Sequence, residues 1–261
     1  MSGMDAALYC FKVFTDSVTT GNPAACVLLA SWPHTSLLQS IATKAQQVVT
    51  AFIVPVADVP HQYHIRWFSC QQEINLCGHG TLAAAALLRQ LKGEGFYQFV
   101  SCYGKLSVTA YHDSLLLELP LWPIQAVELP VTFRDHQSLD CFQSRDLVLV
   151  LADVKAVQQF QPDMQLIRQL PHHALIVTAF CPPDTYVVRY FAPSIGIDED
   201  IATGSAQCSL APYWQIKTGL QKFQVRQLAA VPSSFVVTLL PEHLILCTQA
   251  VLLTQVSITV L

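Results

Sequence analysis

Two short segments about half a chain apart carry the residue types that could do chemistry. They are Leu76-Cys77-Gly78-His79-Gly80-Thr81-Leu82 and Asp198-Glu199-Asp200-Ile201-Ala202-Thr203-Gly204-Ser205-Ala206. Each follows a strand-like run and opens a small-residue helix, Ala83 to Leu91 in one case and Gln207 to Lys217 in the other. A helix start offers unpaired backbone N–H groups and a partial positive charge, so it attracts anions. With His79 and Asp200 alongside, the pair predicts one cleft that holds a carboxylate and moves a proton. Plainer readings stand beside this one. His79 could cap its loop, Asp200 could be an ordinary N-cap worth roughly 1 kcal/mol, and Thr203, Gly204 and Ser205 are also common capping residues. Asn22 lies in a Gly-Asn-Pro turn, where Asn is frequent for conformational reasons alone.

The elements that must position these residues are mostly strands. Leu8 to Phe14, Ala24 to Leu29, Thr50 to Pro55, Tyr63 to Phe68, Phe96 to Cys102, Gly104 to Ala110 and Leu115 to Leu119 are short, β-branched or aromatic, and separated by turn residues. Helices are expected at Leu37 to Gln47, Thr81 to Lys92, Val154 to Gln159, Asp163 to Leu170 and Gly204 to Lys217. Further strands follow at Val148 to Leu151, Ala174 to Ala179, Thr185 to Phe191, Gln224 to Gln227, Phe235 to Leu239 and Leu244 to Cys247, and the carboxy-terminal run Leu244 to Leu261 reads as two strands. The proline-rich segment Pro120 to Pro130 marks a domain boundary, giving domains 1–122 and 123–261, with a last strand of the first that could come from the C-terminal tail. Each half then has several strands and one small-residue helix, a weak internal repeat. A helix rich in alanine on all sides is buried over most of its surface, which a curved sheet wrapped around it would satisfy. The fold class is therefore α+β, with two similar domains of curved, mostly antiparallel sheet around a central helix.

Composition bounds the remaining possibilities. The chain has 261 residues, 52% hydrophobic and 12% charged, with a net charge of −4. No basic cluster supports a nucleic-acid partner. No membrane span is expected, since Arg89 ends the densest apolar helix patch, Ala83 to Leu88, far too early. Met1 to Cys10 lacks the pattern of a signal peptide. Nine scattered cysteines, among them Cys26, Cys102, Cys181 and Cys247 read as small hydrophobes in apolar runs, point to a reducing cytoplasm. Cys70, Cys77 and His79, with His172-His173 elsewhere, match no zinc spacing, so no metal is expected.

Taken together the motifs resemble the phenazine biosynthesis PhzF family, within the diaminopimelate-epimerase-like fold. The resemblance runs through Phe14-Thr15-Asp16, Gly21-Asn22-Pro23-Ala24-Ala25, Arg66-Trp67-Phe68, Cys77-Gly78-His79, Asp146 to Leu151, Arg189-Tyr190-Phe191-Ala192-Pro193, Gly196-Ile197, Glu199-Asp200, Ala202 to Ala206 and Leu210-Ala211-Pro212-Tyr213-Trp214. It implies two domains of curved sheet around central helices with the active site in the cleft between them. It also implies a cofactor-independent isomerase, often a homodimer, moving a proton on a small carboxylic acid; in the namesake activity that acid is a dihydro-hydroxyanthranilate. Carried over position by position, the resemblance makes Asp200 and His79 catalytic, and Asn22, Gly78, Gly80, Thr81, Thr203, Gly204 and Ser205 substrate-binding. In the related racemases of this fold the cysteine at the first helix start is one of two thiol bases. The second motif here has no cysteine beside Thr203-Gly204, so Cys77 reads as a packed residue.

One departure matters most. Members of the family usually carry a segment like Asn-Leu-Ser-Glu-Thr-Ala-Phe, whose glutamate is the principal base. Here the segment is Gln46-Gln47-Val48-Val49-Thr50-Ala51-Phe52, with Val49 at the glutamate position. Valine cannot carry a proton, and neither Gln46 nor Gln47 titrates usefully. The usual proline after the Trp-Phe stretch is Cys70, and a late glycine pair is replaced by the Ala229 to Ser234 region. Two readings remain: an isomerase in which Asp200, His79 or a displaced acid such as Glu73 does the work, or a catalytically silent member that binds a small acid or a protein partner.

Overall fold

The computed structural model describes residues 4–131, 133 and 138–260. Met1 to Gly3, where the leader reading begins, and Leu261, where the carboxy-terminal run ends, lie outside these residues. The chain divides into two compact units, one made of Met1–Glu118 with Cys247–Leu261 and the other of Leu119–Leu246.

In the first unit the strands are β1 (Met4–Val13), β2 (Asn22–Leu28), β3 (Thr50–Pro55), β4 (Gln62–Phe68), β5 (Glu73–Ile74), β6 (Gly95–Ser101), β7 (Gly104–Tyr111) and β8 (Ser114–Pro120). Helix α1 (Thr35–Ala45) crosses from β2 to the parallel β3, and α2 (Gly78–Lys92) leads from β5 to β6, which runs parallel to β4. The remaining neighbours, β1–β2, β3–β4, β6–β7 and β7–β8, are antiparallel. Inside this curved sheet α2 touches β1, β2, β3, β6 and β7, and every residue from Gly80 to Leu88 is buried. That explains its four consecutive alanines, Ala83 to Ala86: a helix enclosed by strands has room for methyl groups on every side. On the other face, Ala25, Val27 and Phe52 pack against Leu38, Ile41 and Ala42 of α1. Strands covered on both faces need continuous apolar runs rather than alternation, which is what Ala24 to Leu28 and Ala51 to Val54 supply.

The second unit repeats this order with β9 (Gln125–Ala126), β10 (Asp140–Gln143), β11 (Leu147–Val150), β12 (Leu175–Cys181), β13 (Thr185–Ala192), β14 (Ile197–Asp200), β15 (Lys222–Gln227) and β16 (Ser233–Leu239). Short helices α3 (Val154–Gln159) and α4 (Met164–Arg168) make the crossover from β11 to the parallel β12, and α5 (Gln207–Thr218) the one from β13 to the parallel β15. The matching β-crossover-β order in both units is the internal repeat. Trp214 of α5 donates its indole N–H to Thr178 of β12, and Tyr213 donates its hydroxyl to Asp140 of β10, which fixes the helix among the strands.

The carboxy-terminal run departs from expectation. It forms one strand, β17 (His243–Val260), and not two. Beside β1 it continues through Thr254 and Gln255, with only a local slip between Cys10 and Phe11. The ladder with β1 satisfies the backbone whatever the side chains are, so the polar residues do not break the strand. Because β17 pairs with both β1 and β8, it closes the first unit's sheet into a ring of eight strands. Cys102 also differs: it is exposed at the β6–β7 turn, whereas Cys26 is buried. Among the described residues no helix is long and apolar enough to cross a membrane.

Candidate functional site

The first helix start is built around Cys77. Its Sγ accepts the Gly80 N–H at 3.4 Å and so N-caps α2, which begins at Gly78, three residues before the expected Thr81. No Ser, Thr, Asp or Asn stands at this position to announce a cap. Nδ1 of His79 lies 3.1 Å from the same sulfur. Cys77, expected as a packed residue, is buried and also holds both the helix start and the imidazole. The Thr81 hydroxyl donates to the Cys77 carbonyl at 2.8 Å and is fully buried, so it braces the turn. Asn22, also buried, opens β2 opposite Val13.

The glycines of this turn differ in kind. A side chain at Gly78 would meet only Leu117, at 3.8 Å, so packing does not require glycine there. At Gly80 a Cβ would sit 2.8 Å from Cδ1 of Trp67 and 3.4 Å from Cγ1 of Val49. Trp67 is 1% exposed and cannot swing away. Gly80→Ala is therefore expected to lower stability by about 1–3 kcal/mol through overpacking, despite alanine's better helix propensity of about 1 kcal/mol. Urea denaturation checks this, and an unchanged or raised midpoint would refute the close packing.

Val49 itself is 1% exposed. Helix α1 ends at Ala45, two residues before the expected Gln47, and its C-cap Gln46 has a left-handed backbone (φ 52°). The chain then enters β3, and the Val49 carbonyl accepts the Ala25 N–H at 2.8 Å. Position 49 is thus a core position in this chain. Glu73, the candidate displaced acid, is held by Arg66 through two hydrogen bonds of 2.7 and 2.6 Å.

Burial pushes the His79 imidazole down to about 4. The ring keeps some exposed edge, but the mass of protein around it disfavours the imidazolium. His79 is therefore neutral near pH 7 and offers one N–H as a hydrogen-bond donor. The folded state excludes a proton that the unfolded chain binds below about 6.5, so this contribution to stability is fully present above that pH and is lost as pH falls toward 4. Burial lowers His172 and His173 in the same direction. His79→Asn is expected to flatten the loss between pH 7 and 5 by about 1–2 kcal/mol. Urea midpoints across that range measure it; superimposable profiles for the two proteins would contradict a neutral His79.

The second helix start lies wholly within the other unit. Asp198 pairs with Arg168 at 3.4 Å, and Glu199 with Arg189 at 2.7 Å. Asp200, at the end of β14, faces the turn instead. Its carboxylate accepts the Thr203 hydroxyl at 2.5 Å and the Ala202 N–H at 3.4 Å. Gln227, fully buried on β15, fixes this turn from below. Its Oε1 accepts the Thr203 N–H at 2.8 Å, while its Nε2 donates to the Asp200 carbonyl at 2.7 Å and to Thr203 Oγ1 at 3.1 Å. The Thr203 amide and hydroxyl are thus engaged within the protein. Gly204 and Ser205 open a 3-10 turn, Gly204–Ala206, that runs into α5, and the leading N–H groups of such a turn lack intrahelical partners.

Ser205 is reached from behind. Arg145 Nη2 donates to Ser205 Oγ at 3.2 Å and to the Tyr190 hydroxyl at 2.9 Å. The same guanidinium grips Asp146 with Nε and Nη2, at 3.1 and 2.9 Å, and Asp146 has no exposed side-chain surface. Burial and the Asp146 charge raise Tyr190, which stays protonated. Sequence reasoning missed Gln227 and Arg145 as parts of this site. For Gln227 a signal existed: Phe223, Val225 and Gln227 alternate on the buried face of β15, and an amide on a core face needs polar partners. Among the described residues no group of three or more His, Cys, Asp or Glu could hold a metal ion.

Comparison with known proteins places this geometry. A family model described as phenazine biosynthesis-like protein, PhzC-PhzF, matches residues 11–129 and 136–254. An uncharacterized isomerase from Vibrio cholerae is 45% identical over 223 residues, covering 84% of this chain and 78% of that protein. An uncharacterized isomerase from Pseudomonas aeruginosa is 36% identical over 223 residues, covering 83% and 84%. The crystal structure of a PhzF-family phenazine biosynthesis protein from Enterococcus faecalis superposes with a TM-score of 0.91 at 28% identity, covering 98% of this chain and 99% of that one. A hydroxyproline epimerase from Agrobacterium vitis shares the fold alone, with a TM-score of 0.62 at 10% identity.

Proposed function

Because the chain belongs to the phenazine biosynthesis-like PhzC-PhzF family, we propose that it is a cofactor-independent isomerase that moves a proton on a small carboxylic acid. The carboxylate of Asp200 takes the proton from a C–H bond, the bonding electrons pass into the adjoining π system, and the proton returns at another carbon. The leading amides of the turn at Gly204 and Ser205, in the same unit as Asp200, receive the substrate carboxylate. The observation that carries this reading is the fixed Asp200 carboxylate, oriented by Thr203 and, through Thr203, by the buried Gln227. A carboxylate serving only as a cap would not need a second buried residue to orient its partner.

One observation favours a second reading, a silent member that binds a small acid. Val49 sits in the core beside Gly80, where the family's usual base would have to stand. The test is solvent-deuterium incorporation, followed by NMR, into a dihydro-hydroxyanthranilate-type acid, with the natural protein and Val49→Glu side by side. Exchange by the natural protein supports the isomerase. Exchange by the variant alone makes the natural chain silent for this reaction.

A further inference from the structure

The second unit holds an open cavity of about 530 Å³, lined among others by Trp122, Ile124, Gln125, Gln143, Ser144 and Arg145. None of the residues proposed above for proton transfer lines it. Its polar groups are already sorted by the bonds they make inside the protein. Gln143 donates its amide to Gln125 Oε1 at 3.0 Å, and its own Oε1 lies 3.0 Å from His172 Nε2. Both amide oxygens are therefore occupied, and the N–H groups of Gln125 remain. Arg145 uses Nε and Nη2 on Asp146, Tyr190 and Ser205. Its Nη1, with two N–H donors, has no hydrogen-bond partner among the described residues. Ser144 adds a hydroxyl, and among the described residues no acidic side chain lines the cavity. What faces a ligand is a set of donors beside a permanent cation.

The apolar part of the wall is equally definite. The Trp122 ring lies against the guanidinium, with Arg145 Cζ 4.7 Å from the ring centroid. This contact and the Asp146 pair hold the arginine plane still, so little side-chain entropy is lost when an anion meets Nη1. Ile124 and the indole offer a flat apolar surface next to that charge. We infer that this cavity is a binding site for a small carboxylate with a flat apolar body, with Arg145 Nη1 as counter-ion and Trp122 and Ile124 receiving the body. The site needs no proton transfer, so it stands or falls separately from the isomerase reading. Its counter-ion also holds Ser205, so an occupant there bears on the second helix start.

Calorimetric titration of the full chain with benzoate, benzamide and acetate tests the assignment. Benzoate is expected to bind at least tenfold more tightly than benzamide, which lacks the charge, and than acetate, which lacks the body. Ser144→Asp, which adds a like charge to the wall without touching the Arg145–Asp146 pair, should weaken benzoate at least tenfold. Ile124→Trp, which fills the space, should do the same and guards against a misfolded Ser144→Asp. Equal binding of benzamide, no benzoate binding at millimolar concentration, or binding indifferent to both variants overturns the site. So does a loss of benzoate binding in Asp200→Asn with none in Ser144→Asp, which would put the carboxylate at the helix start. Deuterium exchange, measured separately, reports on the isomerase reading whatever the titration gives.

Discussion

Asp200→Asn lowers solvent-deuterium exchange by roughly a hundred- to ten-thousand-fold, the range usual for removing a general base, while the thermal midpoint moves by no more than a few degrees. The two halves of this result come from the same geometry. Asparagine keeps one oxygen for the Ala202 N–H, and its amide N–H can donate to the Thr203 hydroxyl that now donates to the carboxylate, so the turn before the 3-10 helix keeps both contacts with one bond reversed. The Asp200 carbonyl, held by Gln227, is untouched. The capacity to take a proton is removed together with the charge. An Asp200→Asn protein that exchanges at the natural rate would reduce Asp200 to a cap. A large fall in stability would show the charge itself to be structural. Either result would return the base to another residue or to none.

Arg145→Ala is expected to cost about 3–5 kcal/mol of stability, because it leaves a buried carboxylate without its counter-ion. Asp146 has no exposed side-chain surface, and after the change the Tyr190 hydroxyl, 3.4 Å away, would be its one hydrogen-bond donor left among the described residues. Ser205 would lose its donor at the same time. The paired change Arg145→Met with Asp146→Asn removes both charges and should recover much of the loss, since an ion pair is worth far less than the penalty for breaking one side of it. Urea denaturation of the two variants gives the comparison. If the single change costs under 1 kcal/mol, or the pair costs as much as the single change, Asp146 is not an obligate partner.

The two helix starts were legible because their residue types sit within a few positions of one another. Most strands were legible from β-branched runs, and the central helix from its alanines. What the sequence concealed lies in pairs distant along the chain. Arg145 meets Tyr190 and Ser205, 45 and 60 residues further on, through a sheet whose register no local pattern encodes. The cap of α2 was hidden because sulfur took a role usually given to oxygen. Gly80 looked like a ligand contact beside Gly78, and only the position of Trp67 shows a packing reason for it. The single strand at the carboxy terminus looked like two because its polar residues were read as interruptions, when a continuous partner strand makes them tolerable.

That strand has a consequence for how the protein is made. The first unit's chain is complete through Glu118, yet its ring lacks a member until Cys247 and the residues after it have been synthesised. At roughly 5–20 residues per second, the intervening stretch of about 130 residues takes on the order of ten seconds on the ribosome. Throughout that interval the edges of β1 and β8 that later face β17 have no strand to pair with, and an open edge invites pairing with other chains. Vectorial synthesis thus finishes the two units in the reverse of their order along the gene: the later-made unit has nearly all of its strands before the earlier-made one can close.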